Sequence, residues 1–221
     1  MYFSLDRNIR NTAKEPVPAS TQAGPFRALL GEGAWQRLAV AVRQRFAELP
    51  VAGVPQRYAG RYRVIRRSLA GWCFAQACRL IGSPLPVPGG RNVPALVMVS
   101  REPAGDGVVW RRLYRFREGE RVCSTVKRHD ATAGLLECVG RRFGMVLRLS
   151  EEGGELHFRS TRFFCRLGRR RLAWPLWLSP GQMHVTHADA GEGRFRFVLS
   201  VRHPWFGETF YQDGLFQALE G

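Results

Sequence analysis

From residue 93 to residue 214, short stretches of alternating apolar and polar residues follow one another with no room for a long helix between them. Turn residues stand at the breaks, among them Gly153-Gly154 and Asp213-Gly214. The stretches cover residues 93–100, 108–117, 121–128, 134–140, 143–150, 155–164, 183–189, 194–203 and 206–214. Turns this short join antiparallel strands, and so many strands rarely form a flat, open sheet. The sequence therefore predicts an α+β, β-rich fold: a large curved antiparallel sheet, or a barrel-like sheet, preceded by two helices.

A leader and two helices are predicted ahead of these strands. Residues 1–24 are polar and lack a sustained period, which predicts a poorly ordered leader. Apolar side chains recur at steps of three and four residues near 34–49 and near 69–81, which is typical of helices. The second helix follows a strand-like stretch over residues 58–67 and begins after a serine suited to cap it. Residues 25–221 are predicted to form a single domain.

The chain is strongly basic. It has 34 Lys and Arg residues against 18 Asp and Glu residues, a formal net charge of +16. Residues 1–72 carry a net charge of +8, residues 73–150 carry +7 and residues 151–221 carry +1. Such a field favours an anionic partner, although a solvated arginine-rich surface is the alternative. The triplet Arg169-Arg170-Arg171, in a predicted turn, is the best candidate for contact with an anionic surface.

Cysteine usage and the absence of targeting signals predict a cytoplasmic protein. The five cysteines are odd in number and widely spaced, and no C-x-x-C occurs, so we expect reduced thiols. No Cys/His cluster has the spacing of a zinc site, and neither a metal nor a cofactor is expected. The first residues show no apolar core of a secretory signal. No run of about 18 apolar residues occurs, so no transmembrane segment is expected.

Strand parity over residues 108–117 gives the sharpest expectation about a site. One face carries Trp110, Arg112, Tyr114 and Phe116, whereas the other carries three arginines and two apolar residues. Three arginines do not share a dry interior, so the face with the aromatic residues is predicted to point inward. A buried guanidinium keeps its proton and requires a carboxylate or an anionic ligand. The same parity separates most arginines from the aromatic residues, which makes nucleic acid an unlikely partner.

Three further residues are candidates for this site. Glu137 is the lone acid of an apolar strand and could pair in bidentate fashion with Arg112, or be a structural or exposed acid instead. His203 follows an apolar inward-facing set, where a satisfied core or rim histidine is the commoner role. Tyr211, near the end of the chain, is expected to line the same interior.

Several short motifs occur in a characteristic order. They are a Gly/Arg strand from Gly60 to Arg67, Trp110-Arg111-Arg112, Leu136-Glu137, Gly168, Pro175 with Leu178 and Pro180, and a closing HPWFGETFYQDGLF. Over roughly residues 27–218 this order resembles a bacterial family of domains of unknown function, often fused C-terminal to saccharopine-dehydrogenase-like, NAD(P)-binding domains. The resemblance implies no established reaction. Since we see no such dehydrogenase domain in these residues, we expect any link to a saccharopine-dehydrogenase-like protein to act in trans.

Three functions are consistent with these features. The leading hypothesis is a non-catalytic domain that binds an apolar small molecule with an acidic head in a β-lined cavity, through Arg112 and the aromatic residues around it. The alternative is an accessory domain that docks on an anionic surface (membrane lipid, nucleic acid or a partner protein) through its basic face. A third is an enzyme with Glu137 or His203 as general base, but no catalytic motif supports it.

Overall fold

The computed structural model describes residues 24–81, 85–86, 88–103, 105–168 and 170–219. The predicted leader, except for its last residue, lies outside the described residues. Eleven strands make up most of the described chain. They are β1 (Gln56–Arg67), β2 (Gly90–Arg101), β3 (Val108–Phe116), β4 (Gly119–Asp130), β5 (Gly134–Val139), β6 (Phe143–Glu152), β7 (Glu155–Leu167), β8 (Arg170–Trp174), β9 (Gln182–Asp189), β10 (Arg194–His203) and β11 (Gly207–Ala218).

Ten of these strands close into an antiparallel barrel, which confirms the predicted β-rich fold. The hydrogen-bonded order is β6-β5-β4-β3-β2-β1-β11-β10-β9-β7, and pairing of β6 with β7 completes the ring. The short strand β8 is outside the ring and pairs with the second half of β7, whose first half pairs with β9. Closure leaves the ring without the free edges of an open sheet. It also encloses an interior that side chains from ten strands face.

Three short helices cover one end of the barrel. They are α1 (Pro25–Leu30), α2 (Glu32–Arg37) and α3 (Val40–Ala47), and the buried rings of Phe26 and Phe46 pack against Phe158 on β7. The single helix predicted near 34–49 is therefore wrong in one respect, because Leu38 and Ala39 have extended backbones that divide it. The reason is a tertiary contact: the Ala39 N–H donates to the Gly154 carbonyl in the β6–β7 turn, at 2.9 Å.

A fourth helix, α4 (Leu69–Cys78), connects β1 to β2 at the opposite end of the barrel. The Ser68 hydroxyl caps it by accepting a hydrogen bond from the Gly71 N–H at 3.1 Å. Residues 79–81 continue as a 3-10 turn, so the prediction near 69–81 has nearly the right extent. None of the helices in the described ranges combines the length and the apolar character that crossing a membrane requires.

Candidate functional site

The inner face of β3 is the one predicted from strand parity. Trp110, Arg112 and Tyr114 are buried, whereas Arg111 and Arg115 are exposed. Phe116, at the end of the strand, is half-buried and its ring stacks on Tyr114 with centroids 5.9 Å apart. The barrel therefore holds a guanidinium among aromatic rings on its concave side, as the alternation of residues requires.

A cavity of about 240 Å³ occupies the interior above Arg112. Its mouth is bounded by α4 and by residues 178–181, at the end opposite α1, α2 and α3. Most of its lining is apolar, and eight strands of the ring contribute to it. The polar lining side chains include Arg112, Tyr114, Thr125, Glu137 and Gln212. The site is thus an apolar chamber with a small polar group in its wall.

Glu137 forms its ion pair with Lys127, not with Arg112. The Lys127 Nζ is 3.2 Å from the Glu137 carboxylate, and both side chains are buried. The two residues are directly opposite each other on β4 and β5. Of the roles weighed for Glu137, a structural ion pair is therefore the one observed. The bidentate pair with Arg112 does not form: β4 lies between β3 and β5 and separates their backbones by about 10 Å. Lys127, on the intervening strand, is the nearer cation.

Arg112 consequently has a buried positive charge without a carboxylate of its own. Its Nη1 donates to the Thr125 hydroxyl at 3.4 Å, and its guanidinium lies 5.9 Å from the centre of the Phe197 ring. Among the residues that the structure describes, no Asp or Glu forms an ion pair with it. Lys127, Glu137 and Arg112 together carry one more positive charge than negative charge.

The pKa values of this cluster reflect that excess charge. Burial raises the pKa of Glu137, but the charges of Lys127 and Arg112 and hydrogen bonds from Thr125 and Lys127 outweigh it and hold the pKa below its ordinary value. Burial lowers the pKa of Lys127, Glu137 opposes this change and Arg112 adds to it, so the pKa stays below normal. Both groups therefore release protons more readily than in water, as expected where two cations surround one anion.

Tyr114 and Gln212 place two neutral polar groups in the same wall. The Tyr114 hydroxyl donates to the Gln212 side-chain carbonyl at 3.3 Å, and its ring stacks on Tyr62. Burial raises the pKa of Tyr114 well above its ordinary value, so the phenol keeps its proton. Sequence reasoning missed Lys127, Thr125 and Gln212. For Gln212 a signal existed, because it alternates with the buried Phe210 and Phe216 along β11.

Four residues predicted for the cavity lie outside its lining: Trp110, Phe116, Tyr211 and, at the rim, His203. Trp110 is below it, stacked on Phe46 at 6.2 Å. Phe116 packs behind Tyr114 and does not reach the lining found for the cavity. The expected inward position of Tyr211 is wrong: it lies on the outer face of β11 under the Arg66 guanidinium, 4.6 Å from its ring centre, because Gln212 occupies the inward register.

His203 is buried at the rim and both of its ring nitrogens have partners. Its Nδ1 accepts from the backbone N–H groups of Trp205 and Phe206, at 3.1 and 3.4 Å. With Nδ1 as acceptor, the proton is on Nε2, which donates to the Trp177 carbonyl at 3.2 Å. His203 therefore joins the β10–β11 turn to the segment before β9, which is the rim role that the sequence analysis weighed against a catalytic one.

The predicted arginine triplet is only partly in the described chain. Arg169 lies outside the described residues, and Arg170 is exposed at the start of β8. Arg171 pairs with Asp130, so its charge is compensated within the protein. The expected turn after Gly168 is followed at once by β8, a strand that the sequence analysis did not predict.

No cluster of three or more His, Cys, Asp or Glu side chains suited to a metal ion occurs in the described ranges. The five cysteines, all of them described, are free. The barrel interior and its charged wall are the features with the clearest chemical character.

Fold and site define a closed antiparallel β-barrel whose interior could hold a small ligand. The chain belongs to the family described as Domain of unknown function (DUF4166), which matches residues 38–216. This match confirms that it is a domain of unknown function, and it covers the whole barrel except the last two residues of β11. Neither a curated protein nor a solved structure shows a significant match to the chain.

Proposed function

We propose that the protein binds, without transforming it, a largely apolar small molecule with an acidic head group inside the barrel. The observation that carries this proposal is the buried Arg112 guanidinium in the cavity wall, which has no carboxylate partner in the described chain. An acidic group placed against Arg112 would compensate the excess positive charge of the Arg112, Lys127 and Glu137 cluster.

The rest of the lining is suited to the apolar part of such a molecule. Aliphatic and aromatic side chains from β5, β6, β9 and β10 face the cavity. They include Val139, Met145, Met183, Val185, Phe197 and Leu199. Ligand sites in proteins commonly combine an apolar chamber with a few fixed polar groups. The polar groups orient the head, and the chamber removes the tail from water.

Binding without catalysis is supported by the state of the two candidate bases. Glu137 is ionised but engaged by Lys127, and its pKa lies below the ordinary value, which weakens it as a proton acceptor. Both nitrogens of His203 are hydrogen-bonded to the backbone. A general base needs both a free lone pair and sufficient basicity: His203 lacks the first, and the lowered pKa of Glu137 limits the second.

The test is equilibrium titration with two fluorescent probes of the same ring system. Anilinonaphthalene sulfonate is apolar with an anionic group, and phenylnaphthylamine lacks that group. We expect both to bind in the barrel, the anionic one more tightly, and long-chain carboxylates to displace them. Arg112→Met should weaken the anionic probe by about 10-fold to 100-fold, because a charge-assisted contact is lost, and should leave the neutral probe nearly unchanged.

Arg111→Met is the matched control. It removes the same charge from the neighbouring position of β3, but from the exposed outer face. We expect this variant to bind both probes as the unmodified protein does. If neither probe enters the barrel, or if both arginine variants weaken the anionic probe equally, the proposal is overturned.

A further inference from the structure

The mouth of the cavity is surrounded by exposed aromatic side chains. Trp72, Trp177 and Trp205 are 41%, 50% and 69% exposed, whereas Trp35 and Trp110 at the other end are buried. The rings of Trp177 and Trp205 stack on each other with centroids 6.1 Å apart. All three exposed tryptophans are thus at the end of the barrel where the cavity opens.

Helix α4 continues this apolar surface. Its ten residues include no charged side chain, in a chain of which 24% is charged. One side of the helix lines the cavity through Phe74 and Cys78, while Leu69 and Trp72 are exposed on the other side, and Leu80 follows in the 3-10 turn. A helix that is apolar on all sides is normally covered on all sides.

Contacts at the rim connect α4 to the β10–β11 turn and to the segment before β9. Phe74 of α4 packs against Phe206 in the β10–β11 turn, with centroids 6.4 Å apart, and Phe206 stacks on His203 at 4.6 Å. His203 in turn holds the Trp177 backbone and contacts the Trp205 ring. We name this surface the apolar rim. It consists of Leu69, Trp72, Leu80, Trp177, Trp205 and Phe206.

Several exposed arginines lie at the mouth end of the barrel. In an antiparallel ring, alternate connections lie at opposite ends, so the β5–β6 turn is at the mouth and the β2–β3 and β6–β7 turns are at the closed end. Exposed arginines at the mouth end are Arg79, Arg141, Arg142, Arg170 and Arg202. Acidic residues in or beside the closed-end turns are Glu102, Asp106, Glu151, Glu152, Glu155 and Glu192.

The mouth-end arginines are available to an external anion. None of Arg79, Arg141, Arg142, Arg170 and Arg202 forms an ion pair with any other residue of the described ranges. In contrast, Arg37 and Arg159 near the closed end pair with Glu151 and Glu152. The apolar rim therefore has five arginines near it that form no ion pair in the described chain, at the end of the barrel that also carries the exposed Glu118 and Glu120 of the β3–β4 turn.

We propose that the apolar rim docks on the surface of an anionic lipid bilayer, with the cavity mouth facing the lipids. Exposed tryptophans and leucines surrounded by arginines have the chemistry of membrane-interface anchors. A bilayer also holds molecules with an apolar body and an acidic head, the class that the cavity is suited to bind. This second part rests on the proposed function: the ligand would pass between bilayer and barrel without crossing water.

Vesicle sedimentation and tryptophan emission test the docking directly. The probes are vesicles of phosphatidylcholine alone and of phosphatidylcholine with phosphatidylglycerol in equal parts. We expect about 10-fold or stronger partition of the full chain onto the anionic vesicles, because each arginine near the surface adds to the attraction. Emission should shift to the blue as exposed tryptophans enter the interface, and added salt should weaken the partition.

Variants at the two ends of the barrel provide matched controls. The double variant Trp177→Ser and Trp205→Ser should lose most of the partition while still binding the neutral probe, which shows that the barrel is folded. Val51 and Val54 are each 62% exposed at the closed end, and replacing both with serine should leave partition unchanged. No partition onto anionic vesicles, or an equal loss in both double variants, overturns the docking and leaves a protein as the partner of the rim.

The docking proposal and the ligand-binding proposal can be tested independently. Arg112→Met is expected to partition onto anionic vesicles as the unmodified protein does, because Arg112 is inside the barrel. Partition without binding of the anionic probe would overturn the ligand proposal and support the docking. Probe binding without partition would overturn the docking and leave the ligand proposal in place.

Discussion

Lys127, Glu137 and Arg112 form a buried cluster of charges beside the cavity, and their arrangement is asymmetric. Lys127 and Glu137 form an ion pair at 3.2 Å, and Arg112 remains as the surplus cation beside the cavity. A buried ion pair by itself is weak evidence of stabilisation, because removing two charges from water offsets much of their attraction. Keeping a third charge there without a carboxylate is more readily explained by recognition than by stability.

The surplus charge predicts unequal effects for the two members of the pair. Glu137→Leu leaves two buried cations without an anion and should lower the free energy of unfolding by about 3–5 kcal/mol. Lys127→Met leaves Arg112 to compensate Glu137 and should lower it by much less. Urea unfolding of both variants measures the difference, and equal losses would show that Arg112 does not contribute to the balance of charge.

His187 gives a prediction about acid stability. It is buried against the rings of Phe46 and Phe197, and burial, followed by the charges of Arg45, Lys127 and Arg112, lowers its pKa well below 6.5. In the folded protein His187 therefore stays neutral, whereas in the unfolded chain it binds a proton below about pH 6.5. The contribution of neutral His187 to the free energy of unfolding is therefore fully present above that pH and declines as the pH falls below it.

Between pH 6.5 and 5 this group should lower the free energy of unfolding by up to about 1.4 kcal/mol per pH unit. His187→Leu should flatten that dependence, since no proton can bind at this position in either state. Urea unfolding at a series of pH values provides the measurement. Burial also lowers the pKa of His184. Because both proteins keep this residue, its contribution to the pH dependence is the same in both and does not affect the comparison. An unchanged slope in the variant would contradict the prediction.

Sequence reasoning reached some of these residues and not others for a physical reason. Alternation within β3 fixes which side chains face inward, so the inward position of Arg112 follows from the strand alone. The partner of Glu137 depends on how β4 and β5 align, which a single strand does not encode. Tyr211 is a different case, because alternation with Phe210, Gln212 and Phe216 within β11 indicates the outer face from the strand alone.

At the level of elements, α4 is placed against β11 by a close backbone approach. A Cβ added to Gly71 would lie 1.8 Å from the Thr209 carbonyl oxygen. The Thr209 carbonyl also accepts from the Ser68 N–H at 3.1 Å, which fixes the start of the helix. Glycine is therefore required where α4 crosses the strand, and the helix is held there as one wall of the cavity mouth.

Gly71→Ala should displace α4 and lower the free energy of unfolding by roughly 1–3 kcal/mol, the usual effect of overpacking. It should also weaken binding of the neutral probe, because Phe74 and Cys78 would move with the helix. Gly33→Ala is the control: the nearest atom to its added Cβ is 3.8 Å away, at the end of the flexible Arg37 side chain. This variant should be neutral or slightly more stable. Equal effects of the two changes would contradict the close approach.

Most strand positions could be predicted because period-two alternation is a local property. The division of the helix near 34–49 could not, because the cause is a hydrogen bond from Ala39 to a turn more than a hundred residues away. Strand β8 was missed since its residues are mainly exposed and begin with arginines, a pattern typical of a turn. Local patterns thus define the elements, and tertiary contacts adjust their ends.

For the whole molecule, the sequence predicted curvature or closure but not the order of strands. Closure depends on the pairing of β1 with β11 and of β6 with β7, and nothing in a single strand specifies its neighbour across the ring. Charge shows the same contrast. Along the chain the positive excess belongs to residues 1–150, whereas in the fold the exposed arginines at the cavity mouth come from both sides of that boundary, as Arg141 and Arg202 show.

Strand β7 changes partner partway along its length, from β9 over residues 156–159 to β8 over residues 163–167. Between these two segments the Ser160 hydroxyl accepts from the Met183 N–H at 2.8 Å. A side-chain hydrogen bond thus joins β7 to β9 where their backbone pairing is interrupted. A second hollow of about 390 Å³ adjoins this place and shares Phe163, Phe164 and Trp174 with the first. The side chains of these three residues therefore form the wall between the two hollows, and a smaller side chain at one of them should connect the hollows and lengthen the space open to a guest.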